Sequence, residues 1–75
     1  MKSAKEMFGE LGWKMFNDSF DSIAYRPDIT QSIYFYKEDK CFRMYDGFDQ
    51  FEIDAPLMKA VIKQCEELGW LDEWQ

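Results

Sequence analysis

Polar and apolar positions follow two different periods along this chain. At the N-terminus, Ala4, Met7, Phe8 and Leu11 recur at helical spacing and fall on one narrow face. Ser3-Ala4-Lys5-Glu6 ahead of them reads as a capping box, in which the serine hydroxyl accepts the Glu6 amide and the Glu6 carboxylate reaches back. Near the other end, Leu57, Met58, Val61, Ile62, Cys65 and Leu68 make a broad stripe, with Lys59, Lys63, Glu66 and Glu67 opposite. Asp54 is a good N-cap for that second helix, and Pro56 sits in its first turn, where a missing N–H does no harm. Both helices close on the same four letters, ELGW, at 10–13 and 67–70. Gly12 and Gly69 supply the left-handed residue that stops a helix, and Trp13 and Trp70 fold back on Phe8 and Cys65. The flanking residues do not match, so the repeat is a terminator used twice and not a duplicated domain.

Between the helices the period is two. Ile33 and Phe35 alternate with Tyr34 and Tyr36, and Phe42 and Met44 alternate with Cys41, Arg43 and Tyr45. Glu38-Asp39 separates the two runs as a hairpin turn. Upstream, residues 23–26 read as another strand, ended by Pro27, which cannot donate to a ladder. A short strand at 14–16 is a further candidate. Asp46-Gly47 reads as a turn, after which Phe51 and Ile53 carry the alternation on to Asp54. The expected fold is a single α+β domain over residues 1–75: N-terminal helix, three- to four-stranded antiparallel sheet, C-terminal helix, both helices on one sheet face.

Composition narrows the function. With 75 residues the chain is near the lower size limit for an unstapled core, and 47% hydrophobic content with seven Phe, four Tyr and three Trp makes that core attainable. No apolar run is long enough to span a membrane, and residues 1–13 lack the apolar core of a signal peptide, so a cytoplasmic protein is expected. Cys41 and Cys65 are then expected to be free thiols filling core space. Fifteen acids against nine bases give a net charge of −6. That balance disfavours direct nucleic-acid or membrane binding and suits a basic protein partner.

The chain contains no histidine, which removes histidine-based acid–base and nucleophile pairs, and two cysteines alone cannot complete a structural zinc site. The four glycines form no phosphate loop, and the acids from Asp46 to Asp54 lack the spacing of a calcium-binding loop. No catalytic, cofactor or metal residue is therefore assigned, and an enzyme is not expected.

Two features point to binding. Glu10, Glu66 and Glu67 stand in the last turns of their helices, where the dipole disfavours an anion by ~0.3–1 kcal/mol, and Asp72 and Glu73 extend the acidic end. Aromatic residues also outnumber the positions of a one-faced core: Tyr34 and Tyr36 cannot share the buried face with Ile33 and Phe35, and Trp74 lies beyond the second helix. The candidate interaction residues are accordingly Tyr34, Tyr36, Glu66, Glu67, Asp72, Glu73 and Trp74. Pairing of the open sheet face in a homodimer is the alternative use of the same rings.

The opening SAKEMFGELGW and the closing LMKAVIKQCEELGWLDEW together resemble a family of small phage- and prophage-encoded proteins of Gram-positive bacteria, with an AKEMFEELG-like first helix and an IKQIEELGW-like last helix. The likeness covers the two helices and is looser between them; Gly9 and Ala55-Pro56 depart from the pattern. It implies a mobile-element accessory protein acting on a host or phage protein inside a bacterial cell. No activity or catalytic residue comes with it. The sharper form of this expectation is an acidic inhibitor that occupies the basic nucleic-acid groove of a host protein.

Overall fold

A computed structural model describes residues 2–47 and 52–72. Helix α1 spans Ala4–Glu10, and strands β1 (Lys14–Asp18), β2 (Ser22–Arg26), β3 (Gln31–Tyr36) and β4 (Cys41–Asp46) follow, with α2 (Ala55–Glu67) last. The strands form one antiparallel sheet in the order β1-β2-β3-β4, a meander in which every neighbour in space is a neighbour in sequence. Pro27 stands just past the end of β2, so the ladder loses no donor.

Local chemistry sets the helix ends as expected. The Ser3 hydroxyl accepts the Glu6 amide at 3.2 Å while the Glu6 carboxylate accepts the Ser3 amide at 3.4 Å. Asp54 Oδ1 accepts the Leu57 amide at 2.9 Å. The two ELGW copies close their helices identically. Trp13 N–H donates to Phe8 O at 2.9 Å and Gly12 N–H to Gly9 O at 3.0 Å; Trp70 N–H donates to Cys65 O and Gly69 N–H to Glu66 O, both at 3.0 Å. Gly12 and Gly69 have φ of 84° and 78°. Both are Schellman closures.

One sheet face and both helices make the core. Ile23 and Tyr25 from β2 and Ile33 and Phe35 from β3 pack with Phe8 of α1 and with Leu57, Ala60 and Val61 of α2. Phe8 stacks on Tyr25 with centroids 4.0 Å apart, and Phe35 meets both rings edge-on. Tyr25 is fully buried, and its hydroxyl donates to Gln64 Oε1 at 2.5 Å, which satisfies two polar groups inside the core.

Two expectations are corrected. The stripe expected on α2 is rotated: the buried residues are Leu57, Ala60, Val61, Gln64 and Cys65, while Met58 and Ile62 are 46% and 44% exposed. Small Ala60 faces inward, and Met58 and Ile62 instead line a groove of about 570 Å³ beside Phe42 of β4. Ile53 belongs to no strand; it packs on the core from an irregular segment ahead of Asp54, and Phe51 lies outside the described residues. Cys65 is buried and Cys41 half-buried, both as free thiols. Burial pushes the Cys65 thiol up in pKa, which holds it in the unreactive protonated form.

Candidate interaction surface

The sheet has a second face that no helix covers. Alternation puts Ser22, Ala24 and Arg26 of β2 there, and the pairing of Ala24 with Tyr34, and of Tyr34 with Arg43, extends the same face across β3 and β4. On β1 the register shifts between Met15 and Asn17. Alternation puts Lys14 and Phe16 on the open face and Met15 on the core, with the Phe16 ring 5.5 Å from Tyr34; the extra residue at the bulge sets Asn17 opposite Ala24 on the open face too, and Asp18 opposite Ile23.

Tyr34 is the hub of the resulting cluster. Its ring lies parallel to Tyr36 at 6.0 Å and edge-on to Tyr45 at 5.4 Å. The hydroxyls of Tyr36 and Tyr45 are 2.9 Å apart. That hydrogen bond raises the pKa of Tyr36, so the phenol stays neutral well past physiological pH. Arg26 lies over Phe16 at 4.4 Å and Arg43 over Tyr36 at 5.6 Å, each a cation–π contact of ~0.5–1 kcal/mol at an exposed site. Ala24, in the middle of this face, is completely buried, which requires the surrounding rings to close over it.

The charged residues whose strand positions point to this face are cations. Lys14 pairs with Arg26 across β1 and β2, and Arg43 completes the set; one acid, Asp46, borders the face at the end of β4, in a hollow that Phe16, Arg26, Tyr34 and Tyr45 also line. A chain with net charge −6 thus presents a locally cationic, aromatic surface.

A different surface lies at the end of the sheet where the β1–β2 and β3–β4 turns meet. Ser19 N–H donates to Ser22 O at 2.9 Å, and Asn17 Nδ2 donates to Ser22 Oγ at 2.8 Å, fixing the first turn. Phe20 at its tip is 94% exposed. Asp18 and Asp21 flank it, and Phe20, Asp21, Lys37 and Glu38 line a shallow hollow between the turns. Lys37 donates to Ser19 O at 2.6 Å and stands 3.9 Å from Asp18, so this cation is held within the fold.

The residues singled out from the sequence therefore separate. Tyr34 and Tyr36 come together on the open sheet face. Glu66 and Glu67 sit at the far end of α2, where Glu66 is 3.8 Å from Lys63 and Glu67 Oε2 accepts the Ala4 amide of α1 at 2.7 Å. Glu10 pairs with Lys2. Asp72 is exposed past α2, and Glu73 and Trp74 lie outside the described residues. Phe16, Tyr45, Arg26 and Phe20 were not singled out. The side taken by Phe16 follows from alternation along a strand at 14–16, and Asp18 to Asp21 around Phe20 could have been read as a turn with an apolar tip. Among the described residues no three Cys, Asp or Glu side chains converge to hold a metal ion, and no helix is long and apolar enough to cross a membrane.

No family model, curated protein or solved structure matches this chain.

Proposed function

We propose that this is a non-enzymatic accessory protein that acts by binding another protein, and that the β1–β2 turn is its point of attachment. The observation that carries the reading is Phe20: a large ring 94% exposed on a turn fixed by hydrogen bonds, with Asp18 and Asp21 beside it. Aromatic side chains are favoured as interface anchors, and a rigid turn presents one at little entropic cost. The acids around it suit a basic partner, as does the net charge of −6. The likeness of the two helices to phage and prophage proteins supports a host or phage protein as that partner. An inhibitor of a basic nucleic-acid-binding protein is the specific form of this proposal.

Immobilised protein incubated with a bacterial lysate tests it. The expected result is a partner retained at low salt, released at high salt, and lost with Phe20→Ala while the fold is unchanged. Retention that ignores both salt and Phe20→Ala would count against it.

Self-association is a second reading, favoured by the groove between α2 and β4. Phe42, Met58 and Ile62 there are each more than one-third exposed. Sedimentation at micromolar concentration separates the two: a strict monomer removes self-association.

A further inference from the structure

We propose that the open face of the sheet is a platform for single-stranded nucleic acid, with Tyr34 and Tyr36 stacking bases and Lys14, Arg26 and Arg43 meeting phosphates. Net charge alone argues the other way, but net charge averages over surfaces that this fold keeps apart. The three charged residues whose strand positions point to the open face are all cationic, with Asp46 alone at its margin, although acids outnumber bases fifteen to nine in the chain.

Three candidate occupants can be compared on geometry and charge. A second copy docked face to face would bring Lys14, Arg26 and Arg43 against their own equivalents, a like-charge contact with only Asp46, at the margin of the face, to relieve it. An acidic protein segment would answer the cations, yet it sets an aromatic ring against those of Phe16, Tyr34, Tyr36 and Tyr45 only where its sequence carries one. A single nucleic-acid strand supplies both, an anionic group and a π-face in each nucleotide. Duplex is disfavoured, because its bases are already stacked on one another and turned away from a flat sheet.

The chemistry of each group fits that task. Tyr34 and Tyr36 lie parallel, their planes 13° apart, and each carries a hydroxyl that can donate to or accept from a base edge. Arg26 and Arg43 stand over neighbouring rings, so their guanidinium planes add stacking surface as well as charge. Stacking on aromatic side chains is worth ~1–3 kcal/mol per base and tolerates any sequence. With only three cations engaged, the dependence of log affinity on log salt has a slope of about −2, shallow for a nucleic-acid binder.

The experiment is fluorescence anisotropy of a labelled oligothymidylate of about a dozen nucleotides, which spans one such platform. Saturable binding is expected, weakened about tenfold or more by Tyr34→Leu, which keeps apolar cover over Ala24 while removing the π-face. Arg43→Gln should flatten the salt slope by about 0.7. Phe20→Ala should leave this binding unchanged, since the turn lies off the open face, so this inference and the protein-binding reading fail independently. Circular dichroism confirms the fold of each variant. Absence of saturation up to roughly 1 mM oligonucleotide overturns the proposal. So does equal binding by Tyr34→Leu, or displacement by polyglutamate as effective as by unlabelled oligothymidylate, which would make the face a reader of negative charge alone.

Discussion

The carboxylate of Glu67, in the last turn of α2, accepts a 2.7 Å hydrogen bond from the amide of Ala4, in the first turn of α1. A residue ill placed for its own helix is thereby well placed for its neighbour's, because the C-terminal end of α2 lies beside the N-terminal end of α1. The anion faces unpaired amides instead of only unpaired carbonyls. Glu67→Ala should lower unfolding free energy by about 1 kcal/mol, the usual worth of a helix cap, with Glu67→Gln losing less because it keeps an acceptor. Urea titration of the three proteins checks this; equal stability of Glu67→Ala and the parent would show the bond to be idle.

The buried Tyr25–Gln64 pair predicts a non-additive mutant cycle. Tyr25→Phe leaves the Gln64 amide without its phenol partner in the core and should cost ~1–3 kcal/mol. Gln64→Leu strands the hydroxyl at a similar cost. The double substitution should recover much of the loss, because neither polar group then remains to be desolvated. Additive losses would refute the pairing.

Alkaline pH should weaken the fold through the same tyrosine. Burial, aided by the negative charges of Glu67 and then Asp18, pushes the Tyr25 phenol from its ordinary 10.0 up to about 12. A phenol whose folded pKa exceeds its unfolded value favours folding fully below pH 10. That advantage falls away as pH rises through the window from 10 to 12, a change of about 3 kcal/mol. Denaturant midpoints measured across the window should drop steeply, and Tyr25→Phe should flatten the drop.

The two closing glycines give a prediction of opposite sign from a third glycine. Gly12 and Gly69 hold φ of 84° and 78°, and a Cβ at Gly12 would meet nothing within 4 Å. Gly12→Ala should therefore cost ~1–2 kcal/mol through backbone strain alone, whereas D-alanine at the same position should stabilise. Gly9 lies inside α1 with open space around its Cα, so Gly9→Ala should stabilise by ~0.5–1 kcal/mol. Thermal melts of the three proteins test both signs.

These cases show which parts of the molecule were readable in advance. The capping box, both ELGW closures and the β3–β4 hairpin depend on neighbours within a few residues, so the pattern contains them. The face of α2 does not: Met58 and Ile62 are more apolar than Gln64, yet Gln64 is buried because Tyr25, thirty-nine positions away, offers it a hydroxyl. The sheet shows the same division. Alternation placed Tyr34 and Tyr36 opposite Ile33 and Phe35, as the structure has them, and carries Phe16 to the same face, but the one-residue bulge in β1 that brings Asn17 opposite Ala24 has no signature in the pattern. Glu67 was legible as an oddity and acquired its reason only when the first and last helices met.

The meander order also has a consequence for synthesis. All four strands precede α2 in the chain, so a nascent polypeptide can complete its sheet while the residues that cover Ile23, Tyr25, Ile33 and Phe35 are still inside the ribosome. During that interval the sticky side of the sheet has only α1 for shelter, and misassociation with other nascent chains is the hazard. A chain stopped after Asp46 should therefore collect in the insoluble fraction, a cost arising from the order of elements rather than from the finished protein.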